Sequence, residues 1–505
     1  MKKTATILVL LSLLSKPLGF IRQLLLSYYF GTTNITDAYF VATSAIGLMM
    51  IYFWAISTSY IPTYNRVFKN SGEKQAYKFT NNLISMQLIF SIFFMIIVWC
   101  TADYLIYIMA SGFDNQTITV AKNLLIILSI SIPFVVLSGE LSSFLNIKNK
   151  SIQKSLAQYT SHFIIIFIIL AGIYSVCFLA IGGVVCSIIF GLILMYLCYK
   201  QGLHLKLRLS FDKNVRYALL FALPMVLNSS IVLINRIVDQ NIGSWLGEGI
   251  ISAINYSANI QSLLIDGIIG IIMINLIFPR LSYLAVHNSN EAIASFRKIL
   301  IILQCIVIPV SVLFVFFSSD IISFIYQRGE FGESAVNMTS IVLSTMAIGL
   351  PFVVYNMLCN NMLFAYHLSK LPLILSIVVV ITNVIFSIIL SHIYGLHGLI
   401  LGTVISVIFG AITSALIFKY KIANLGLFKL ISKVIRIVFI SLLVAFITFQ
   451  VRDFLHLYFS RNLSTFFYIP IAIFMYLALI QFARIEEITI LRQTAINYLQ
   501  QKLKK

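Results

Sequence analysis

The sequence predicts an all-α integral membrane protein of fourteen transmembrane helices, laid out as two parallel six-helix lobes around a central cavity with two appended helices. Three observations carry this. Hydrophobic residues make up 60% of the chain and charged ones 10%, too little polarity to cover a soluble globular surface. Apolar runs of about 20 residues, enough to cross a hydrocarbon core of roughly 30 Å, recur along the chain. Finally, the chain repeats itself. Pro133-Phe-Val-Val136 returns as Pro351-Phe-Val-Val354, Tyr39 and Pro62 return as Tyr256 and Pro279, and Ser187-Ile-Ile-Phe-Gly191 returns as Ser406-Val-Ile-Phe-Gly410, at offsets of 217 to 219 residues. Collinear anchors at a near-constant offset are the mark of a duplicated unit.

The fourteen runs centre near Leu11, Met50, Phe90, Leu128, Ile165, Ile188, Val226, Ile268, Val307, Met346, Val379, Val404, Leu443 and Phe474. Spans one to six form the first unit (residues 1–205) and spans seven to twelve the second (206–425). Spans thirteen and fourteen and a basic tail occupy 426–505. Six is even, so both units share one orientation and the repeat is parallel, with the natural substrate site in the crevice between lobes. The connection from Lys200 to Arg216 reads as an interlobe linker. The tail after Arg484, ending Gln-Gln-Lys-Leu-Lys-Lys, alternates apolar and basic residues as an interfacial helix on anionic lipid does.

The formal charge of +19 would suggest nucleic acid in a soluble protein, but here it follows topology. Basic residues crowd alternate connections: Arg66 to Lys78, Lys148 to Lys154, Lys200 to Arg216, Arg280 to Lys298 and Lys419 to Arg436. The remaining connections are nearly bare, with Lys122, Arg328, Arg452 and Arg461 as exceptions. The positive-inside bias places both termini in the cytoplasm. Six cysteines lie scattered in apolar surroundings without a C-x-x-C pair and read as small buried hydrophobes. Met1-Lys-Lys before an apolar run imitates a secretory signal. No small-x-small cleavage site follows, so an uncleaved first span is expected.

Ionisable groups inside spans are costly and usually face a cavity or a partner. Lys16 lies well inside the first span, where Pro17 and Gly19 predict a kink or break. Arg22 follows, Asp37 opens the second span, Glu140 lies in the fourth, Arg236 and Asp239 share a face of the seventh, and Asp266 is in the eighth. Two cations on a broken helix suit a phosphate-bearing ligand. The structural alternatives are an Arg22–Asp37 pair holding spans one and two together, and an intrahelical Arg236–Asp239 pair. There is no nucleotide-binding Gly-x-x-x-x-Gly-Lys-Ser/Thr loop, no His-Glu-x-x-His and no nucleophile elbow. His162, His367, His392 and His397 are isolated and read as interfacial or packing residues. A transporter is therefore expected rather than an enzyme.

Several stretches resemble one family. Ser15-Lys-Pro-Leu-Gly-Phe-Ile-Arg22 is similar to its S-R-x-L-G-F-x-R motif, and Phe30-Gly-Thr-Thr-Asn-Ile-Thr-Asp-Ala-Tyr-Phe40 to its F-G-x-x-x-x-T-D-A-F-F motif. Tyr60-Ile-Pro62, Phe278-Pro-Arg-Leu-Ser282, Tyr326-Gln-Arg-Gly-Glu-Phe331 and Thr382-Asn383 fit its later signatures. The family is that of the MurJ/MviN-type lipid II flippases, in the multidrug/oligosaccharidyl-lipid/polysaccharide exporter superfamily. The resemblance implies fourteen spans, two lobes, a cationic cavity and alternating-access export of an undecaprenyl-diphosphate-linked glycan. The implied cargo is lipid II for peptidoglycan synthesis, carried across the bacterial inner membrane by a monomer whose partners are the substrate and membrane lipids, with no nucleic acid.

By the same resemblance, Lys16 stands where the family has a cavity arginine, and Arg22 and Asp37 match directly. With Arg236 and Asn259 these are the substrate-binding candidates. Gln23 replaces an acid, no basic residue lies between Arg22 and Arg66, and Asn259 replaces an arginine. Lysine for arginine exchanges a bidentate fork for a point charge. Another lipid-linked oligosaccharide (a surface-polysaccharide, O-antigen or capsule unit) and a drug/cation antiporter of the same superfamily therefore stand as alternatives. Asp239, Asn383 and Thr403 match oxygen-bearing positions that would hold a monovalent cation. Na+ or H+ is accordingly the expected coupling ion, with no other cofactor. Ser387 stands where a second carboxylate would strengthen that site, and hydrogen bonding between helices is the structural alternative for Asn383 and Thr403.

Overall fold

The computed structural model describes residues 2–368, 370–423, 426–483, 485–487, 489 and 493. Those residues form helices and connections, with no strand among them. A chain with no water along most of its length has to satisfy its backbone within each segment, which helices do. The predicted interfacial helix after Arg484 lies almost wholly outside the described residues.

The helices are α1 (Lys2–Phe30), α2 (Asn34–Met109), α3 (Asn115–Ser129), α4 (Ile132–Ile147), α5 (Ser151–Gln158), α6 (Ile164–Ile173), α7 (Cys177–Lys200), α8 (Lys213–Leu246), α9 (Ile250–Leu264), α10 (Gly270–Ile272), α11 (Phe278–His287), α12 (Ser289–Tyr326), α13 (Glu333–Ala365), α14 (Lys370–Lys421), α15 (Leu427–His456) and α16 (Arg461–Leu479). By length and apolarity alone, eight of the described helices can cross a membrane, or nine if the α3/α4 pair, bent by 43°, is one span. Two of the eight are hairpins. In α2 the backbone turns at Gly72, whose φ of 77° favours glycine. Residues on either side then meet, the Tyr60 hydroxyl lying 2.8 Å from that of Thr80 and the Phe53 ring 5.8 Å from Phe94. In α14 the turn is at Gly395, with φ of 56°, and Phe386 packs on Phe409. With these hairpins counted as two spans each, and with α1, α8 and the run from α9 to α11, the helices lie where the fourteen apolar runs predict them.

The chain divides into two compact units, one comprising Met1–Asn255 with Arg328–Gly332, the other Tyr256–Gln327 with Glu333–Lys505. The first unit therefore holds α8, the helix that the repeat makes the opening member of the second lobe. The packing has a local cause. The connection before α8 is fastened to α2: the Lys206 and Arg208 amides donate to Asn81 and Ser85, and Asn81 donates to the His204 carbonyl, at 2.9 to 3.2 Å. Asp212 then caps α8 by accepting from the Asn214 and Val215 amides at 2.9 Å while also accepting from Asn82. One core of this unit gathers Tyr60, Tyr64, Phe79, Leu141 and Phe144 with Val215 and Ala218. In the second unit, Phe296, Leu300, Val307, Leu350, Leu358, Phe418 and Ile437 belong to one buried cluster.

The prolines behave differently from one another. α1 runs unbroken through Pro17, where a kink or break is predicted. The remaining helical bonds hold it, since in lipid there is no water to take them over. Pro133 stands in the first turn of α4, just after the bend from α3, where its missing N–H costs nothing. Pro351 lies inside α13 and deprives the Ala347 carbonyl of its donor. Ser311 of α12 supplies a hydroxyl to that carbonyl instead.

Candidate functional site

The first unit carries the predicted substrate residues Lys16, Arg22, Asp37 and Arg236, and Asn259 belongs to the second. Lys16 and Arg22 are both exposed on α1 and form no ion pair among the described residues. Arg22 is close enough to act electrostatically on Tyr39, Cys186 and His162. It therefore lies on the side of α1 that looks toward α2, α7 and the 3-10 turn Tyr159–Phe163. A small polar cavity of about 130 Å³ is lined by Leu11 and Ser15 of α1 with Ser155, Gln158, Ser161 and His162. Tyr159 closes the back of this cavity by donating to the Leu11 carbonyl at 2.6 Å.

Asp37 is placed otherwise than a ligand-binding carboxylate would be. It is 1% exposed and does not pair with Arg22. It accepts from the Gly249 amide at 2.8 Å, from the Ser252 amide at 2.7 Å and from the Ser252 hydroxyl. The carboxylate thus satisfies the orphan donors at the start of α9 and ties the start of α2 to them. Both of its oxygens are taken up by the fold. Ser252 is the partner that sequence reasoning missed, because a serine 215 residues away gives no local signal.

Arg236 is exposed on α8, and its charge acts on Asp239 one turn further along. The two form no ion pair, and Asp239 Oδ1 is buried without a hydrogen-bond partner. Asn259 is half-buried on α9, and its carbonyl accepts from Ser262. Of the three predicted cation ligands, the structure brings two together within the second unit. Asn383 Nδ2 donates to Thr403 Oγ1 at 3.1 Å across the α14 hairpin, and Asn383 Oδ1 is buried with no partner. Ser387 spends its hydroxyl on the Leu399 carbonyl. An orphaned amide oxygen beside a hydroxyl is the right donor type for a hard cation but supplies only part of the oxygens one needs. No group of three or more His, Cys, Asp or Glu residues gathers among the described residues.

Lys122, Arg452 and Arg461, which depart from the predicted charge bias, are neutralised. Lys122 pairs with Asp103 at 2.6 Å, Arg452 with Asp453 at 2.8 Å, and Arg461 with Asp320 at 2.7 Å. Asp320 is a buried carboxylate of the second unit, and Tyr468 also donates to it at 2.8 Å. This cluster fastens α16 to α12, and sequence reasoning missed it because its members lie about 140 residues apart.

An all-helical chain with many apolar spans, two exposed cations on its first helix and few other charges within the spans has the form of a multi-pass membrane transporter. Comparison with known proteins narrows that class. The profile of the family described as lipid II flippase MurJ matches residues 26–474, and the chain belongs to that family. A protein of Treponema pallidum (strain Nichols) named "Probable lipid II flippase MurJ" is 26% identical over 408 residues, covering 76% of this chain and 75% of that protein. A protein of the same name from Thermotoga maritima is 24% identical over 481 residues, covering 94% and 95%. A solved structure of lipid II flippase MurJ in an inward closed conformation has the same fold, with a TM-score of 0.80 at 24% identity over 97% of this chain and 99% of that one. An inward-facing multidrug resistance MATE family transporter of the MOP superfamily is more distant, with a TM-score of 0.68 at 17% identity over 81% of this chain and 95% of that one.

Proposed function

We propose that this chain is a lipid II flippase, moving the undecaprenyl-diphosphate-linked peptidoglycan precursor across the bacterial inner membrane by alternating access, with both termini in the cytoplasm. The observation that carries the reading is the family match over residues 26–474. Lys16 and Arg22, exposed on one helix and unpaired, supply what a diphosphate would meet there. The polar cavity lined by Ser15 of the same helix offers neutral hydrogen-bonding groups suited to a hydroxyl-rich head group. Asp37 has the role of holding the framework behind Arg22 rather than touching the lipid. Asn383 and Thr403 are the residues that would contribute to a Na+ site, the alternative coupling ion being H+. The protein works as a monomer in this reading.

Complementation tests it. Expression in cells depleted of their own lipid II flippase restores growth, and Arg22→Ala abolishes the rescue at unchanged protein level. Well-expressed wild-type protein that fails to rescue excludes lipid II and leaves another lipid-linked oligosaccharide as cargo, as the absence of basic residues between Arg22 and Arg66 would then explain.

A further inference from the structure

Glu140 takes no part in the site described above, yet it is the most completely enclosed carboxyl of the first unit, 0% exposed in the middle of α4. Its surroundings are neutral. Ser57 donates to Oε1 at 2.8 Å from the first arm of the α2 hairpin, and Gln87 Nε2 donates to the same oxygen at 2.8 Å from the second arm. Gly139 makes this possible, because a Cβ there would lie 2.8 Å from Ser57 Oγ. Two more atoms complete the pattern: Glu140 Oε2 and Gln87 Oε1 are both buried and have no hydrogen-bond partner.

The titratable groups nearest Glu140 include Tyr60 of α2, which interacts with it and whose hydroxyl is engaged with Thr80, and Cys198 of α7, whose thiol donates to the carbonyl of the next residue, Leu141. None of the cations on the helices packed against α4 pairs with it. Arg66 lies over Tyr217, Lys200 over Tyr196, and Lys148 is bound to Glu73, while Lys154 of α5 forms no ion pair. A lone buried carboxylate is costly unless it is paired or carries a proton. The hydrogen bonds fit the second case. A carboxylic acid has one oxygen that only accepts, as Oε1 does here twice, and one that bears a hydrogen, as Oε2 would. Gln87 Nε2 can donate to Oε1 in both protonation states, more strongly to the carboxylate.

The repeat shows that the frame does not need an acid here. The position 218 residues on, the offset that relates Pro133 to Pro351, is Leu358, which is also 0% exposed. An apolar side chain does the packing in that unit.

We propose that Glu140 is a proton-binding site. A proton from water forms an O–H bond at Oε2 and the carboxylate becomes a neutral acid, whose Oε1 accepts the Ser57 and Gln87 hydrogen bonds more weakly than a carboxylate does, so that the grip of α4 on the two arms of the α2 hairpin changes with each proton taken up or released. That this proton couples to transport rests on the flippase reading. The binding itself rests only on the side chains described.

The test uses the purified full chain in lipid nanodiscs. Infrared difference spectra across a pH titration, wild type minus E140Q, are expected to contain the carbonyl stretch of a protonated carboxylic acid that fades as pH rises. Q87L is expected to move the pH at which it fades. A difference spectrum without a titrating acid band overturns the proposal, and so does a band that Q87L leaves in place. In vesicles, flipping of labelled lipid II is expected to depend on pH for wild type and to lose at least half of that dependence in E140Q. An unchanged pH profile in E140Q overturns the coupling. A titrating band in a protein that does not move lipid II keeps the proton site and overturns the flippase reading instead.

Discussion

Gln87 and Gln304 stand 217 residues apart, the offset that separates Tyr39 from Tyr256, and each aims its amide at a helix carrying Pro-Phe-Val-Val. In the first unit the amide meets the carboxyl of Glu140 at 2.8 Å. In the second it meets the backbone carbonyl of Pro351 at 2.9 Å. In both the amide oxygen is left buried without a partner. The duplicated frame thus requires a donor at this place and an acceptor opposite, and it leaves the identity of the acceptor open. Where the helix is bent before its proline, as between α3 and α4, no interior carbonyl needs rescue and the donor is available to a side chain. Where the helix is continuous, as in α13, the same donor and Ser311 serve the backbone around the proline.

The comparison can be broken most severely by giving the second unit the first unit's acid. Leu358→Glu would place a carboxyl in a fully buried apolar cluster with no donor identified for it, and should cost about 3 kcal/mol or more of stability. A thermal midpoint in detergent equal to that of wild type would show that the second unit, too, has a polar acceptor for it. Next in size is the removal of the outer carboxylate anchors. Asp37→Ala leaves two backbone N–H groups and a hydroxyl buried without an acceptor and should cost about 3 kcal/mol, with Asp37→Asn recovering part of it. Asp320→Ala should cost less, about 1–2 kcal/mol, because Arg452 keeps Asp453 and the half-exposed Arg461 can turn toward water or head groups. Thermal unfolding of the two alanine variants side by side checks the order. A larger loss for Asp320 would mean that docking α16 contributes more than the closure of α2 on α9.

Much of the fold is legible in the sequence because the bilayer reduces the choices. Apolar length marks the spans, and the three collinear anchors reveal the duplication. The α2 and α14 hairpins turn at Gly72 and Gly395, both between predicted spans. The site was legible only in its residue types. Lys16, Arg22, Asp37 and Glu140 stand out by being charged in apolar runs, but nothing local tells an exposed cation from an engaged carboxylate. That distinction depends on partners hundreds of residues away, such as Ser252 for Asp37.

By itself, then, the sequence determined the class of environment, the places of the apolar segments and the duplicated plan, since each of these follows from composition and periodicity summed over many residues. The tertiary structure alone decided that α8 packs with the first unit, that Asp37 is spent on the start of α9, that Arg452 and Arg461 are neutralised by Asp453 and Asp320, and that Glu140 sits between two neutral donors with one oxygen unsatisfied. Each of those outcomes rests on a few hydrogen bonds or ion pairs formed across a long separation in sequence, and such pairings have no periodic signature from which to be read.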